Sequence, residues 1–455
     1  MGWRGAEIEA SSFVLVIQNH SWQEAENPKG SFFSATSNAK VQPWLGDPGN
    51  RRRAHRQRMK LRLLVLHSEL GVLRGGGENF TRNLIRHLSV RGHEISVAFT
   101  ANLRGKYPLA LPAGITPVPV PGWWSMNFGQ GFLSGFGRMV PVRGRSRTQW
   151  DRIRSALAWR TFRWHNQRFA RKVESLLTGR WQHYHAAYVH GDTRLACKLA
   201  ARLPTVLRLP GPVSSELQPL LERISAVCAN GDALARMRTF LGDGIIELPV
   251  GLDEDRFKPG PSLLRPALGW DEGNLVVGYV GRLAHLKGVD LLADAFREVS
   301  QDHPRARLLL IGHGEEERSL RRTLARELSC GWVHIQGGVE HEELPEWYRA
   351  MDLLVMPSRY ENFSNAVLEA MACGVPLLAS DIGGNQVLAS AGGGWLFKPG
   401  SFESLADLLR DILKNPEPLK ARGAISSEFV RGRYNWNHTA RCLEDIIAAR
   451  LGVTA

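Results

Sequence analysis

The spacing of apolar and polar residues divides the chain into two series of alternating strand and helix patterns. Lys60–Leu66 (KLRLLVL) is the first clean strand pattern, followed by the glycine loop Gly71–Glu78 (GVLRGGGE). Phe80, Leu84, Ile85 and Leu88 then keep helical spacing. Arg91-Gly92-His93 ends that helix, with Gly92 suited to a left-handed cap, and Ile95–Phe99 is the next strand. Strand, glycine loop, helix, strand is the opening of a doubly wound sheet. Residues 108–144, rich in Pro, Gly and aromatics, read as loops, and Trp150–Leu177 as one or two helices. Strands over Ala187–His190, Thr205–Leu209, Ile224–Ala229 and Ile245–Leu248, with a helix over Arg194–Arg202, complete a first α/β unit.

A second series begins after Pro249. Its strand patterns are Leu275–Val280, Arg307–Ile311, Val333–Gln336, Leu353–Met356 and Pro376–Ala379. Helical patterns fill the gaps at Gly288–Ser300, Glu315–Leu328, Leu344–Ala350 and Asn365–Cys373, and Thr439–Leu451 reads as a last helix. This alternation predicts an α/β fold of two parallel, doubly wound sheets with helices on both faces. Ligands of such sheets sit at the carboxyl ends of the strands, here in a cleft between the two units.

Residues 1–58 lack either periodicity, so the folded part is expected to begin at Met59, itself a candidate start residue. The expected division is therefore an extension over 1–58, a first domain over 59–248 and a second over 249–429. With 43% hydrophobic and 22% charged residues, the composition is that of a soluble globular protein. No run approaches the ~18–20 apolar residues of a membrane span, and Phe13–Ile17 is too short for a signal-peptide core. A cytoplasmic location is the expectation.

The five cysteines, Cys197, Cys228, Cys330, Cys373 and Cys442, form no CxxC pair, which argues against a disulfide framework or a zinc site. The net charge of +14 is concentrated, with twelve Lys/Arg against two acids between Arg138 and Arg180. That suits either an anionic partner or a solvated face. Between Trp150 and Arg171, the aromatics Trp150, Trp159, Phe162, Trp164 and Phe169 alternate with arginines. Interfacial helices have this composition, which makes an anionic membrane surface a candidate partner. The competing reading is a helix with its aromatics in the core, since Trp150, Ile153 and Leu157 keep helical spacing.

The chemistry is concentrated in Glu361–Pro376 (ENFSNAVLEAMACGVP). Ser364 is a good N-cap and Gly374 a good helix stop. Glu361 thus falls in the loop before a helix and Glu369 about one turn inside it. The free amides of Asn365, Ala366 and Val367 make an anion site suited to a diphosphate. Glu369 is placed to accept from ribose hydroxyls, and Glu361 lies on the sugar side. The loop Gly281-Arg282-Leu283-Ala284-His285-Leu286-Lys287-Gly288 follows the Leu275–Val280 strand and brings two cations to the same rim. Fixed cations stabilise the charge that grows on a departing phosphate.

With these residues, and with Gly75-Gly76-Gly77-Glu78, Pro249-Val250-Gly251-Leu252-Asp253, Arg256-Phe257 and Asp381-Ile382-Gly383-Gly384, the chain from about residue 60 resembles retaining glycosyltransferase family 4, of GT-B fold. The resemblance implies two Rossmann-like domains facing a central cleft, with a nucleotide-sugar donor bound by the second. It implies a donor site of Gly76, Gly77, Arg282, Lys287, Glu361, Phe363, Ser364, Asn365, Ala366 and Glu369. Arg282 and Lys287 would lie on the diphosphate, Glu369 on the ribose, and Glu361 beside the transferred sugar. It also implies that the final helix, within 430–455, packs back on the first domain. Transfer would retain the anomeric configuration, with the leaving phosphate taking the acceptor's proton and no metal or other cofactor. Asp253-Glu254-Asp255 fits a DxD metal pattern, but its place at the domain crossover points to a structural role.

Two positions depart from the family pattern. Val387 stands where members often carry Glu. The Thr205–Leu209 strand ends in Arg208-Leu209-Pro210-Gly211 where many members have a histidine, which leaves His190 and His67, at other strand ends, as cleft candidates; His190 joins Glu361, Arg282 and Lys287 as a candidate catalytic residue. The expected reaction moves a hexose to a glycan, lipid-linked or small-molecule acceptor. The rival readings are a nucleotide-sugar epimerase on the same fold and a non-catalytic nucleotide-sugar or polyanion-binding protein. No zinc-finger, RRM or KH motif supports nucleic acid as a partner.

Overall fold

The computed structural model of the chain describes residues 60–70, 76–101, 111–121, 164–390 and 393–452. The expected extension over 1–58, the Met59 start, Gly75 and the aromatics at 150–162 lie outside the described residues. The first sheet has seven strands: β1 Arg62–Leu66, β2 Glu94–Ala101, β3 Ile115–Pro121, β4 Ala186–His190, β5 Thr205–Arg208, β6 Ala226–Ala229 and β7 Ile245–Glu247. Their order is β3-β2-β1-β4-β5-β6-β7, and every pairing is parallel. Leu63 and Val65 join one apolar layer, while Leu64 and Leu66 join the layer on the other face. A strand covered on both faces needs the unbroken apolar run that β1 carries.

Strand β3 corrects the expectation of loops over 108–144. Its sequence, ITPVPVP, places a proline at every second position from Pro117 to Pro121. Residues of one parity bond to β2, and the prolines leave the outer row without N–H groups. Proline content is therefore compatible with pairing on one side only, and β3 is an edge strand.

The second sheet has six strands, all parallel: β8 Leu275–Val280, β9 Ala306–Ile311, β10 Val333–Gln336, β11 Leu353–Met356, β12 Leu377–Ser380 and β13 Gly394–Phe397, in the order β10-β9-β8-β11-β12-β13. The single helix expected over Glu315–Leu328 is two, Glu317–Thr323 and Ala325–Ser329, broken at the buried Leu324. Strand β13 and the helices Gly231–Leu241, Phe402–Lys414 and Pro418–Arg433 are not picked out by the sequence patterns.

The backbone crosses between the units beside its own C-terminal return. Leu252 N–H donates to the Tyr434 carbonyl at 3.1 Å, and Leu252 bridges Asn435 in parallel. A Cβ on Gly251 would lie 2.1 Å from the Trp436 ring, so only glycine lets the indole lie against the crossing strand. Trp436 opens the last helix (Trp436–Arg450), whose N-cap Asn435 accepts from the His438 amide at 2.8 Å. That helix packs on α1 (Gly76–Val90), with Trp436 edge-on to Phe80 at 5.4 Å. At its far end Glu444 receives a forked pair from Arg91, at 2.5 and 2.6 Å, and His93 lies 2.7 Å from one oxygen.

Candidate active site

The loop after β11 leads into α4 below, and its capping residues set the geometry. Throughout the site, α2 denotes Gly231–Leu241, α3 Val289–Val299, α4 Asn365–Ala372 and α5 Gly383–Ala389. Ser364 is the N-cap of α4, and its hydroxyl accepts from the Val367 amide at 3.4 Å. This corrects one expected feature: Val367 N–H is taken by the cap, which leaves the Asn365 and Ala366 amides as the free donors of the first turn. Gly374 ends the helix at φ +86°.

Glu369, one turn inside α4, is held at both oxygens. His341 Nε2 lies 2.9 Å from Oε1, and the Tyr348 hydroxyl donates to Oε2 at 2.9 Å. The hydrogen bond to Glu369 raises the His341 pKa against the opposing effect of burial. Burial, and then the Glu369 charge, pushes the Tyr348 hydroxyl well above its ordinary range, so it stays a donor. These partners fix the rotamer of Glu369, and each carboxylate oxygen keeps a second lone pair. Sequence patterns missed both: His341 sits in a loop of mixed charges and Tyr348 reads as an ordinary core aromatic.

Glu361 is 9% exposed, and its Oε2 lies 2.7 Å from Lys287 Nζ and 3.5 Å from the Ser358 hydroxyl. The structure thus joins two residues that the sequence places in different loops. The 281–288 loop follows β8 and leads into α3; the Tyr279 hydroxyl pins it by donating to the Arg282 carbonyl at 2.8 Å. The Arg282 side chain is exposed at the rim. Phe363 is half-buried and its ring lies 5.6 Å from that of Tyr434, a packing role beside the site.

The first unit supplies the opposite wall. A Cβ on Gly76 would lie 3.5 Å from Asn365 Nδ2, so the first turns of α1 and α4 are neighbours. Two neighbouring helix starts reinforce an anion site. A Cβ on Gly77 would lie 2.9 Å from His190 Nε2. His190 ends β4, is 8% exposed and stacks on His67 at 4.3 Å. Thr81 Oγ1 lies 2.9 Å from His67 Nδ1 and 3.3 Å from His190 Nδ1. Burial, with the nearby His67 and Arg208, holds the His190 pKa well below its ordinary value, so the ring is neutral. At the end of β5, the buried Arg208 guanidinium lies over the Phe80 ring at 3.7 Å and donates to Asn230 Oδ1 at 3.3 Å.

His67, Glu69 and Glu78 offer ligand atoms within 4.8 Å of one another, a grouping no sequence motif announces. Burial, and then the Glu78 charge, raises the Glu69 pKa to about 7. The Asp253 carboxylate, by contrast, accepts from the Arg256 amide at 3.3 Å and braces the crossover turn. Val387 lies 43% exposed on α5. In the aromatic-basic segment, Phe169 is buried in the first core while Trp164 is 46% exposed. No helix of the described residues is long and apolar enough to cross a membrane.

Between the units, Glu369, Asn365, His341 and Arg256 meet Asn79 and Asn83 of α1 around a cavity of ≈ 50 Å³. Pockets that hold small molecules are roughly 300–1,000 Å³. In this arrangement the space is therefore a seam beside the carboxylate.

Residues 262–427 match the family model described as glycosyl transferases group 1. A D-inositol 3-phosphate glycosyltransferase of Segniliparus rotundus is 34% identical over 199 residues, covering 42% of this chain and 44% of that protein. A GDP-mannose-dependent mannosyltransferase acting on a monoacylated phosphatidylinositol monomannoside, from Corynebacterium glutamicum, is 31% identical over 211 residues, covering 44% of this chain and 55% of that protein. The chain thus spans about half the length of the curated relatives it matches. Among solved structures, Anabaena HepE in complex with UDP and glucose superposes with TM-score 0.62 at 20% identity, covering 86% of this chain and all of that one. WaaG, a glycosyltransferase involved in lipopolysaccharide biosynthesis, gives 0.60 at 16% identity, covering 85% and 99%. The two parallel sheets and the rim between them are accordingly those of a GT-B fold, and it is within the second unit that residues 262–427 resemble the glycosyl transferases group 1.

Proposed function

We propose that this chain transfers a hexose from a nucleotide-diphosphate sugar to a hydroxyl acceptor, with retention at the anomeric carbon. The observation that carries the reading is the Lys287–Glu361 pair at 2.7 Å, set at the rim where the first turns of α1 and α4 are neighbours. The paired Lys287 ammonium keeps further N–H donors for a phosphate oxygen. Arg282, exposed beside it, offers a forked contact to the same diphosphate. Glu369 accepts from the ribose hydroxyls, and Glu361 faces the sugar. The bond between the anomeric carbon and the phosphate oxygen breaks as the acceptor oxygen bonds to the same face. The acceptor's proton passes to the departing phosphate oxygen. Charge growing there is met by Arg282, Lys287 and the two helix ends, and the scheme calls on no metal ion.

The neutral His190 lies on the acceptor side, where it accepts a hydrogen bond more readily than it carries charge. The acceptor is a glycan, a lipid-linked sugar or a small molecule. The exposed Trp164 and the basic stretch before it suit an acceptor held at an anionic membrane surface. The relative that acts on a monoacylated phosphatidylinositol monomannoside supports that class. The test is a thermal-shift screen against UDP-, GDP- and ADP-hexoses, followed by product analysis of the stabilising donor with candidate acceptors. A shift with at least one donor is expected; no shift with any of them contradicts the proposal.

A further inference from the structure

Asn362 follows Glu361 and sits half-buried between the two units. Its side-chain oxygen accepts from the Ala233 amide at 2.8 Å, and its backbone oxygen from the Asp232 amide at 3.1 Å. Its side-chain amide donates to the Pro210 carbonyl at 2.9 Å. Asp232 and Ala233 form the first turn of α2, whose amides have no acceptor within their own helix. The adjacent N-cap residue, Asn230, makes no capping bond; its oxygen receives Arg208 instead. A helix of the first unit is therefore capped by a residue of the second.

The approach is close. Gly231 has φ +58°, and a Cβ there would lie 2.1 Å from the Asn362 oxygen. On the second unit's own side, that oxygen also accepts from the Gly384 amide at 3.2 Å. A Cβ on Gly383 would lie 2.3 Å from the Glu361 oxygen and 3.3 Å from Asp232 Cβ. The 361–362 peptide is thus gripped between the first turns of α2 and α5.

We propose that Asn362 is a positioning residue that couples docking of the two units to the placement of Glu361. When the units dock, Asn362 caps α2 and the peptide bearing Glu361 is held from both sides. When they part, the bonds to Asp232, Ala233 and Pro210 are lost together and only the grip of α5 remains. Arg282, Lys287 and Glu369 all belong to the second unit, and the first adds only the start of α1 to the donor rim, so donor affinity changes little with docking. Alignment of the sugar beside Glu361 depends on it. This assignment rests on the transferase reading, because it takes Glu361 as the residue beside the sugar.

The experiment compares Asn362→Ala, Asn362→Asp and Gly231→Ala in the full chain. Donor dissociation constant, kcat and amide exchange at Asp232 and Ala233 are measured for each. The Asp variant keeps the acceptor oxygen for α2, and the Ala variant does not. Expected are a donor dissociation constant within twofold of wild type in all three and a kcat about tenfold lower for Asn362→Ala and Gly231→Ala. The Asp variant should recover at least half of the wild-type kcat, and exchange at Ala233 should be faster in Asn362→Ala alone of the two Asn362 variants. An unchanged kcat in Asn362→Ala and Gly231→Ala, or kcat and donor affinity falling together, overturns the assignment. If the wild type transfers no sugar, the transferase reading fails by itself. The latch is then judged on exchange alone, and equal Ala233 exchange in wild type and Asn362→Ala overturns it.

Discussion

Lys287 Nζ lies 2.7 Å from Glu361 Oε2, with the two side chains 27% and 10% exposed. The relationship is asymmetric, because the carboxylate is the more deeply covered partner. Removing the lysine strands a buried charge, whereas neutralising the carboxylate strands a cation that still reaches water.

Lys287→Met is therefore expected to destabilise the protein more than Glu361→Gln does. The lysine loss should cost about 1–3 kcal/mol in urea unfolding, and the glutamine change less than about 1 kcal/mol. Both variants should lose most transferase activity. Equal unfolding midpoints for the two contradict the asymmetry.

Tyr348→Phe and His341→Leu each remove one anchor of Glu369 while leaving the carboxylate in place. Each is expected to weaken donor binding about three- to tenfold, the range of one hydrogen bond at about 1 kcal/mol. Because Glu369 raises the His341 pKa, the charged pair persists below that pKa and is lost as pH rises through it. Wild-type donor affinity, measured by calorimetry, should accordingly change across that rise, and the His341→Leu variant should not follow the change.

Glu444 ties the last helix to the first unit. Burial pushes its pKa up, but the hydrogen bonds from Arg91 and His93 prevail and bring it down to about 2. The folded value lies below the ordinary ~4.3 of a glutamate. Its contribution to stability is complete above that value and fades as pH falls toward 2. Glu444→Gln should lower Tm at pH 6, with the difference from wild type shrinking steadily below pH 4. A difference that stays constant to pH 2.5 contradicts this ion pair.

Gly251→Ala tests the crossing. The added carbon would lie 2.1 Å from a rigid indole that is itself packed on Phe80. Overpacking of this kind costs about 1–3 kcal/mol. Gly251→Ala combined with Trp436→Phe should recover part of the loss in thermal unfolding, since the smaller ring can retreat.

The Glu361–Glu369 loop and helix were legible in the sequence because local rules govern them: Ser364 caps, Gly374 stops, and the spacing sets Glu361 before the helix and Glu369 about one turn inside it. Strand β3 was not, because its prolines, which forbid a central strand, are harmless at an edge that only the assembled sheet defines. Val367 was expected as a free donor, yet the cap that identified the helix consumes that amide. His341, Tyr348 and Asn362 had no local signal at all. The partners of His341 and Tyr348 lie 28 and 21 residues away, and the first-unit partners of the Asn362 side chain at least 129, and only the packing of distant segments gives them roles. The helices Gly383–Ala389 and Pro418–Arg433 escaped because Gly383-Gly384 and the polar residues of the second dilute the apolar period.

The central claim is that the rim built by Arg282, Lys287, Glu361 and Glu369 binds a nucleotide-sugar. Its most direct test is calorimetric titration of the donor that stabilises the wild type into Glu369→Ala and Arg282→Ala. The account predicts a dissociation constant at least tenfold weaker in each, with both variants still folded at the titration temperature. An unchanged dissociation constant in both variants contradicts it.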